Sequence, residues 1–322
     1  MNLKKCLVML LSLVFTLTAA SAQPSSPAET SNAALRYWIA FADLHDSSID
    51  KPTQDLLEKT ASGEAAWDEA KLGPIVAVNE MAIQEMQRAT KIQDCDWGLE
   101  FSQGPNASIA PVIRSRVMAR LNTLYGMRLA AKGDTQKAVD TWLAGIRFSQ
   151  HMAKGGSLIF SLLATTALLS NLNALNHVAQ SGLLNDMQRT QVSAAVRALP
   201  ETGFDWGTAL SYEGVSLDVA VREMAASPRQ YYQEIMGKPA PDGFTAPNGA
   251  ETADFHKLMA AAETALRLPP DQAQGKLETL QDSVSTLHPF FVNTIPSFSN
   301  INGARMKVQT ARNDLLRSLS AK

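Results

Sequence analysis

One short loop combines a thiol, two carboxylates and a large aromatic ring, in the order Asp94, Cys95, Asp96 and Trp97. A cysteine attacks as a thiolate, which requires a nearby base and an electropositive environment. The flanking aspartates have the opposite effect, because their negative charges raise the pKa of the thiol. We therefore predict that Cys95 is not a nucleophile. The loop is either one wall of a ligand pocket or a turn capped by Asp96 and fastened by a buried Trp97.

Two basic residues further along the chain could complete a pocket with this loop. Asp96 could pair with Arg114 or with Arg116. His151 lies four residues after Arg147 on one predicted helix and could face the same groove as Arg116. There it would act as a general base; the alternative is a hydrogen-bonded histidine near a helix C-terminus, where the helix dipole favours it. We predict Asp96, Trp97, Arg116 and His151 as binding residues and assign no catalytic residue.

Sequence motifs for metal ions, phosphates and serine nucleophiles are absent. The chain contains no His-Glu-x-x-His pair, no Gly-x-Ser-x-Gly elbow and no glycine loop that would hold a phosphate. The five histidines do not form a cluster with the spacing of metal ligands: His45, His151, His177, His256 and His288. We therefore predict neither a metal ion nor an organic cofactor.

The first 22 residues have the pattern of an export signal. Lys4 and Lys5 give a basic start, residues 7–17 form an apolar run, and residues 20–22 (Ala-Ser-Ala) make a small-residue cleavage site. The run is too short for a membrane span, and a polar segment follows it. We predict cleavage after Ala22, a disordered linker over residues 23–31, and a periplasmic or secreted mature protein. Export excludes ATP, NAD and nucleic acid as expected ligands.

Charge and cysteine content narrow the class of partner. Cleavage removes two lysines and no acidic residue, so the formal charge falls from −2 to −4. A mildly acidic surface without basic runs does not favour nucleic acid or an anionic membrane. Cys6 is removed with the signal, so Cys95 is the only mature cysteine and stability must come from packing rather than from a disulfide. A periplasmic protein or peptide is the partner class that we predict.

Apolar residues recur with a helical period along the mature chain, and no strand pattern persists. We predict a single all-α domain over residues 32–322, a multi-helix bundle or short α-solenoid of about eleven helices; a subdivision near residue 200 is the alternative. The first helix carries Leu35, Trp38, Ile39 and Ala42 on one face. The third, over residues 64–93, is expected to break or kink at its Gly-Pro pair, residues 73–74.

One uncharged stretch stands out in a chain of which 19% of the residues are charged. Residues 155–185 carry no charge, and residues 158–169 are apolar on nearly every side. A helix of this kind that is too short to span a membrane is usually enclosed by other helices. We therefore predict a buried central helix. Its polar residues either bond helix to helix or line an internal cavity: Thr165, Thr166, Asn171, Asn173, Asn176 and His177.

A helical hairpin is predicted around Gly133 and Asp134, with Pro111 in the first turn of its first helix. Small and aromatic residues are spaced so that the hairpin resembles one tetratricopeptide unit: Gly126, Gly133, Ala138, Trp142 and Gly145. The resemblance covers about 35 residues and implies close contact between the two helices. Gln150 stands where a closing proline is expected and no second copy follows at the repeat distance, so we do not predict an array.

A longer pattern resembles exported, all-helical bacterial proteins of unassigned function. It covers roughly residues 33–180 and consists of the following residues: Ala34-Leu35-Arg36-Tyr37-Trp38, Cys95-Asp96-Trp97-Gly98-Leu99, Gly104-Pro105, Arg114, Arg116, Gly133-Asp134, Ala138-Val139, His151 and Leu158-Ile159. The resemblance implies an all-helical fold and export, and it implies no activity.

Two functions of different class fit these features. The favoured one is a non-catalytic periplasmic scaffold that holds a protein or peptide in a helical groove. It predicts exposed aromatic residues such as Trp38, Tyr125 or Trp142 on a concave surface. The alternative is a small-ligand binder or hydrolase, whose four binding residues would converge in one cavity and give Asp96 or His151 a perturbed pKa.

Overall fold

The predicted all-α class is confirmed by a computed structural model, which describes residues 30–45 and 50–321. These residues form fourteen α helices, a 3₁₀ helix at Phe101–Asn106 and no β-strand. The α helices are α1 Ala33–Ala42, α2 Lys51–Ser62, α3 Glu69–Val78, α4 Glu80–Ala89, α5 Ala110–Ala131, α6 Thr135–Ala153, α7 Leu158–Gln180, α8 Asp186–Arg197, α9 Trp206–Met224, α10 Pro228–Met236, α11 Gly249–Leu266, α12 Pro270–Val284, α13 Pro289–Thr294 and α14 Phe298–Ser320. The segment Asn32–Lys322 forms one compact unit. The predicted signal peptide and residues 23–29 of the predicted linker lie outside the described residues.

The hairpin of α5 and α6 turns where its residues predict. Gly133, at φ +82°, ends α5 in the left-handed conformation that a side chain would strain. Asp134 then caps α6 by accepting the Lys137 N–H at 3.3 Å. The predicted position of the turn is therefore confirmed.

The third predicted helix is two helices, α3 and α4, and they are separated at Asn79. Pro74 lies inside α3, so the helix does not break at residues 73–74, and the kink that was the other form of this prediction stays a prediction. Asn79 is fully buried; its amide donates to the His45 carbonyl at 3.1 Å and accepts the His45 N–H at 2.8 Å. This bond to a distant part of the chain fixes the turn, whereas the proline costs one hydrogen bond inside α3. The third predicted helix is divided into α3 and α4, and α13 is an additional short helix. Both contribute to the difference between the predicted count of about eleven helices and the fourteen α helices of the described residues.

Helix α1 turns its predicted apolar face toward solvent. Leu35, Trp38 and Ile39 are exposed, whereas Tyr37 and Phe41 are buried. The two buried rings stack on Trp97, with centroid distances of 5.4 and 6.1 Å. Aromatic rings bury a large area per side chain, so α1 packs through Tyr37 and Phe41 rather than through its aliphatic stripe.

Helix α7 contains the uncharged stretch and packs against α2, α5, α6, α9 and α14, which confirms its central position. Leu168, Leu172 and Leu175 are completely buried. Its enclosure is incomplete, however, because Ile159 and Leu162 are 42% and 40% exposed. Among the described residues, α7 is also the one helix long and apolar enough to cross a membrane, and 61% of its most apolar window is buried within the fold.

Two glycines allow α5, α6 and α7 to approach one another closely. A Cβ on Gly126 would lie 2.6 Å from Cε2 of Trp142, and one on Gly145 would lie 2.7 Å from Nδ2 of Asn122 and overlap Asn171. Such separations are too short for real side chains. Both glycines therefore make the close helix contact that the hairpin spacing predicts.

Three buried phenylalanines hold the C-terminal helices against the core. Phe290, Phe291 and Phe298 are all completely buried. The first two belong to α13, and the third is the first residue of α14. Ser297 caps α14 by accepting the Asn300 N–H, which is the local reason that the helix starts at Phe298.

Candidate functional site

Trp97 and His151, two of the four predicted binding residues, meet in a buried cluster with Tyr37. The hydroxyl of Tyr37 lies 2.7 Å from Nδ1 of His151, and Nε1 of Trp97 donates to the backbone carbonyl of His151 at 2.8 Å. All three side chains are buried. Because they come from α1, the 94–100 loop and α6, these bonds fasten three separate parts of the chain.

Burial suppresses acid–base and nucleophilic chemistry in this cluster. It lowers the pKa of His151 to about 4, with a further lowering by the nearby Lys154, so the imidazole is neutral at pH 7. A neutral ring accepts a hydrogen bond from the Tyr37 hydroxyl at Nδ1, and burial raises the pKa of Tyr37 well above its usual value. Burial also raises the pKa of Cys95 to about 12, with a smaller contribution from Asp96. Near neutral pH this cluster therefore provides no thiolate, and its imidazole is a weak base whose Nδ1 is already hydrogen-bonded to Tyr37.

Asp96 has a structural part in the same loop. It is exposed, and its Oδ1 accepts the Gly98 N–H at 2.9 Å. Its backbone bonds twice to the Asn32 side chain, at 2.8 and 2.9 Å. Of the two interpretations of the loop, the geometry matches the turn capped by Asp96 and fastened by Trp97.

Arg116 lies in a different place, on α5 facing α2. Its Nη2 is 3.3 Å from Oε1 of Glu58, and Nη2 of Arg120 approaches the same oxygen at 2.7 Å. Arg116 lines one of two adjoining cavities, and Asp96, Trp97 and His151 line neither of them. The four predicted binding residues therefore do not share either cavity.

These two adjoining cavities lie between α2, the α2–α3 connector, α5 and α7. One has a volume of about 480 Å³ and the other about 760 Å³. They share four lining residues, which are Ala61, Ser62, Glu64 and Ser170. The two cavities together form one continuous depression, which we name the polar groove. Helix α2 supplies one wall because it packs on both α5 and α7.

The exposed stripe of α7 forms the floor of the polar groove. Asn173, Asn176 and His177 line it, so part of the polar set on this helix lines an open groove rather than the internal cavity that one interpretation proposed. Thr166 lines the groove as well, and the hydroxyls of Thr165 and Thr166 bond to carbonyls of their own helix. A spacing of three and four residues between the exposed positions of α7 is the sequence signal for this floor.

Aromatic residues contribute to the polar groove differently from the prediction. Trp142 lines it but is almost completely buried. Tyr125 is half-buried and donates to Glu80 at 2.9 Å, and Trp38 is exposed on α1. The half-buried Trp67 of the α2–α3 connector also lines the groove, and no sequence pattern pointed to it.

No group of three or more acidic, histidine or cysteine residues suited to a metal ion occurs in the part of the chain that the structure describes. Comparison of the chain with protein-family models, with curated protein sequences and with solved structures finds no match. The resemblance to exported helical proteins is therefore a prediction that these comparisons do not test, and the function has to be inferred from the groove itself.

Proposed function

We propose that this protein is a non-catalytic binding module of the periplasm that holds an extended peptide segment in the polar groove. The observation that carries the proposal is the continuity and length of the groove. Its lining residues on α5 extend from Arg116 to Ala131, which is about 22 Å at 1.5 Å per residue. An extended chain covers that distance with about seven residues, whereas a small metabolite would fill only one part of it.

The lining of the groove suits a peptide backbone. Small side chains such as Ala61, Ala130 and Ala174 allow a chain to approach closely. A side-chain amide offers a donor and an acceptor, so Asn173 and Asn176 complement a peptide group. Oδ1 of Asn176 is buried and has no hydrogen-bond partner within the described residues. Leaving such an acceptor unpaired costs about 1–3 kcal/mol, which a ligand N–H would offset.

The small-ligand or hydrolase hypothesis has less support. It depends on the convergence of Asp96, Trp97, Arg116 and His151, and Arg116 bonds to Glu58 in the groove while Trp97 and His151 are buried against Tyr37. The imidazole that it needs as a base has a pKa of about 4 because of burial. A base of that strength is poorly matched to a reaction near pH 7.

A substitution that blocks the groove tests the proposal. Ser62 is exposed at the end of α2 and lines both cavities, so Ser62→Trp places an indole across their junction. Heptapeptides selected from a phage-displayed library on the wild-type protein should bind Ser62→Trp at least tenfold more weakly. Ser285→Trp is the matched control, because Ser285 is also exposed at a helix end and its hydroxyl likewise bonds to a carbonyl three residues earlier. Equal binding to both variants would refute the groove as the binding site.

The location outside the cytoplasm is part of the proposal and is supported by the basic, apolar and small-residue pattern of residues 1–22. N-terminal sequencing of the protein from a periplasmic fraction should begin at Gln23. A protein that retains Met1 in the cytoplasmic fraction would overturn this part and leave the groove proposal standing.

A further inference from the structure

The two halves of the polar groove differ in chemistry. The cavity of about 480 Å³, which we call the narrower half, is lined by six charged residues: Asp55, Glu58, Lys59, Glu64, Arg116 and Arg120. The cavity of about 760 Å³ is the wider half. Apart from the shared Glu64, the wider half is lined by residues without formal charge at neutral pH or apolar residues, including Trp67, Met127 and Leu183. A peptide that lies along the groove therefore meets charged groups at one end and apolar surface at the other.

We propose that the polar groove selects peptides that place a carboxylate beside Arg116 and an apolar or aromatic side chain beside Trp67. This inference rests on the proposed function and deepens it by naming the ligand chemistry. The source of the carboxylate is either the C-terminus of the peptide or an acidic side chain, and both present the same two oxygens to a guanidinium.

The charges of the narrower half are paired so that Arg116 can still bind a carboxylate. Arg120 is only 17% exposed and has the shorter contact with Glu58, whereas Arg116 is 56% exposed and has the longer one. A guanidinium has five N–H donors, so Arg116 retains donors that face solvent.

The remaining charges of this half leave a second cation without an ion pair. Asp55 is paired with Lys51 at 2.9 Å, and Glu64 accepts a hydrogen bond from Ser62. Lys59 has no ion-pair partner within the described residues, and it is exposed on the same wall. The lining carries three cationic and three anionic residues, and Arg116 and Lys59 are the cations whose charge is least compensated.

The wider half offers apolar surface to a side chain of the peptide. Nε1 of Trp67 donates to Glu69 at 3.0 Å, which satisfies its polar atom and leaves the indole ring as apolar surface. Met127 is half-buried and Leu183 is exposed at the same end. A ligand side chain that covers these groups removes apolar area from water, which is favourable.

The spacing of the two determinants follows from helix geometry. Arg116 and Met127 are eleven residues apart on α5, which is about 16 Å at 1.5 Å per residue. An extended peptide covers this distance with about five residues. We therefore expect the apolar residue about five positions from the carboxylate.

The test uses pools of fluorescein-labelled octapeptides, randomised except for a leucine five positions before the last residue. One pool ends in a free carboxyl, a second in a carboxamide, and a third in glutamate followed by a carboxamide. Fluorescence anisotropy with the mature protein should show binding of the carboxyl pool at least tenfold tighter than that of the first carboxamide pool. Tight binding of the glutamate pool also supports the inference and identifies a side chain as a sufficient source.

The variants Arg116→Gln and Arg128→Gln provide the matched comparison. Both arginines lie on α5 and bond to a glutamate, but Arg128 pairs with Glu69 and lines neither cavity. Arg116→Gln should abolish the preference for a carboxylate, and Arg128→Gln should preserve it. Equal binding of all pools by the wild type, with loss in Ser62→Trp, would overturn carboxylate selection and leave the proposed function intact. If no pool binds, or if Ser62→Trp binds every pool as tightly as the wild type does, both the carboxylate selection and the proposed function are overturned.

Discussion

The burial of His151 makes the stability of the fold depend on pH in a calculable way. Burial lowers the folded-state pKa of His151 to about 4 from a usual value of 6.5. Because the folded-state value is the lower one, the unfolded chain takes up the proton first as the pH falls. The stabilisation is therefore complete above pH 6.5 and is lost progressively as the pH falls toward 4.

The size of this effect follows from the shift. One pKa unit corresponds to about 1.4 kcal/mol, so the difference between 6.5 and about 4 gives an upper limit of about 3.5 kcal/mol. Local relaxation around the charged ring reduces this to about 2 kcal/mol. A loss of that size is a substantial fraction of the 5–15 kcal/mol that stabilises a typical domain.

The assay is urea unfolding of the mature protein at several pH values between 4 and 7. His151→Asn removes the titrating group but retains a side-chain oxygen that can accept a hydrogen bond from the Tyr37 hydroxyl. The variant should lose about 2 kcal/mol less than the wild type over this range. His177→Asn makes the same change on the exposed side of α7 and should follow the wild type. If His151→Asn and the wild type lose stability equally, the assignment of a buried neutral imidazole is refuted.

Three further predictions concern packing, capping and the thiol. Gly145→Ala should destabilise the fold by about 1–3 kcal/mol in thermal unfolding, because its Cβ would overlap Asn171. Gly275 lies at an exposed position of α12 where an added Cβ meets no atom, so Gly275→Ala should stabilise the fold by about 0.5–1 kcal/mol in the same assay. Glu213 accepts the Leu158 N–H at 2.9 Å and so caps α7 from α9, and Glu213→Ala should cost about 1 kcal/mol in urea unfolding while Glu213→Gln, which keeps an acceptor, costs less. Cys95 is buried with a pKa raised to about 12, so Ellman's reagent should find no reactive thiol at pH 8 until denaturant is added; rapid reaction of the native protein would contradict its burial.

Local patterns were sufficient to predict the α5–α6 hairpin and the central position of α7. Gly133 and Asp134 determine a helix end and a helix start within a few residues, and an uncharged helix must be largely buried. The break at Asn79 was not predictable, since it depends on a bond to His45, 34 residues earlier in the chain. Leucine and isoleucine at helical spacing in α1 predicted an apolar face but not its exposure, which follows from the larger contribution of Tyr37 and Phe41 to the core.

The candidate site was predicted only in part for the same reason. Arg116 lines the polar groove, and the polar set on α7 contains its floor residues. The opposite wall comes from α2 and the connector that holds Trp67, about 100 residues earlier in sequence, and no local pattern links the two. His151 and Trp97 meet as neighbours, but their bonds fasten the fold instead of lining the groove.

The central claim, that a peptide segment occupies the polar groove, is tested most directly by hydrogen exchange with a peptide selected on the wild-type protein. Exchange of the non-helical connector, residues 63–68, should become slower when the peptide binds, and exchange of the loop at residues 94–100 should not change. Slower exchange at residues 94–100 with no change in the connector would contradict the claim and would point back to the loop around Asp96.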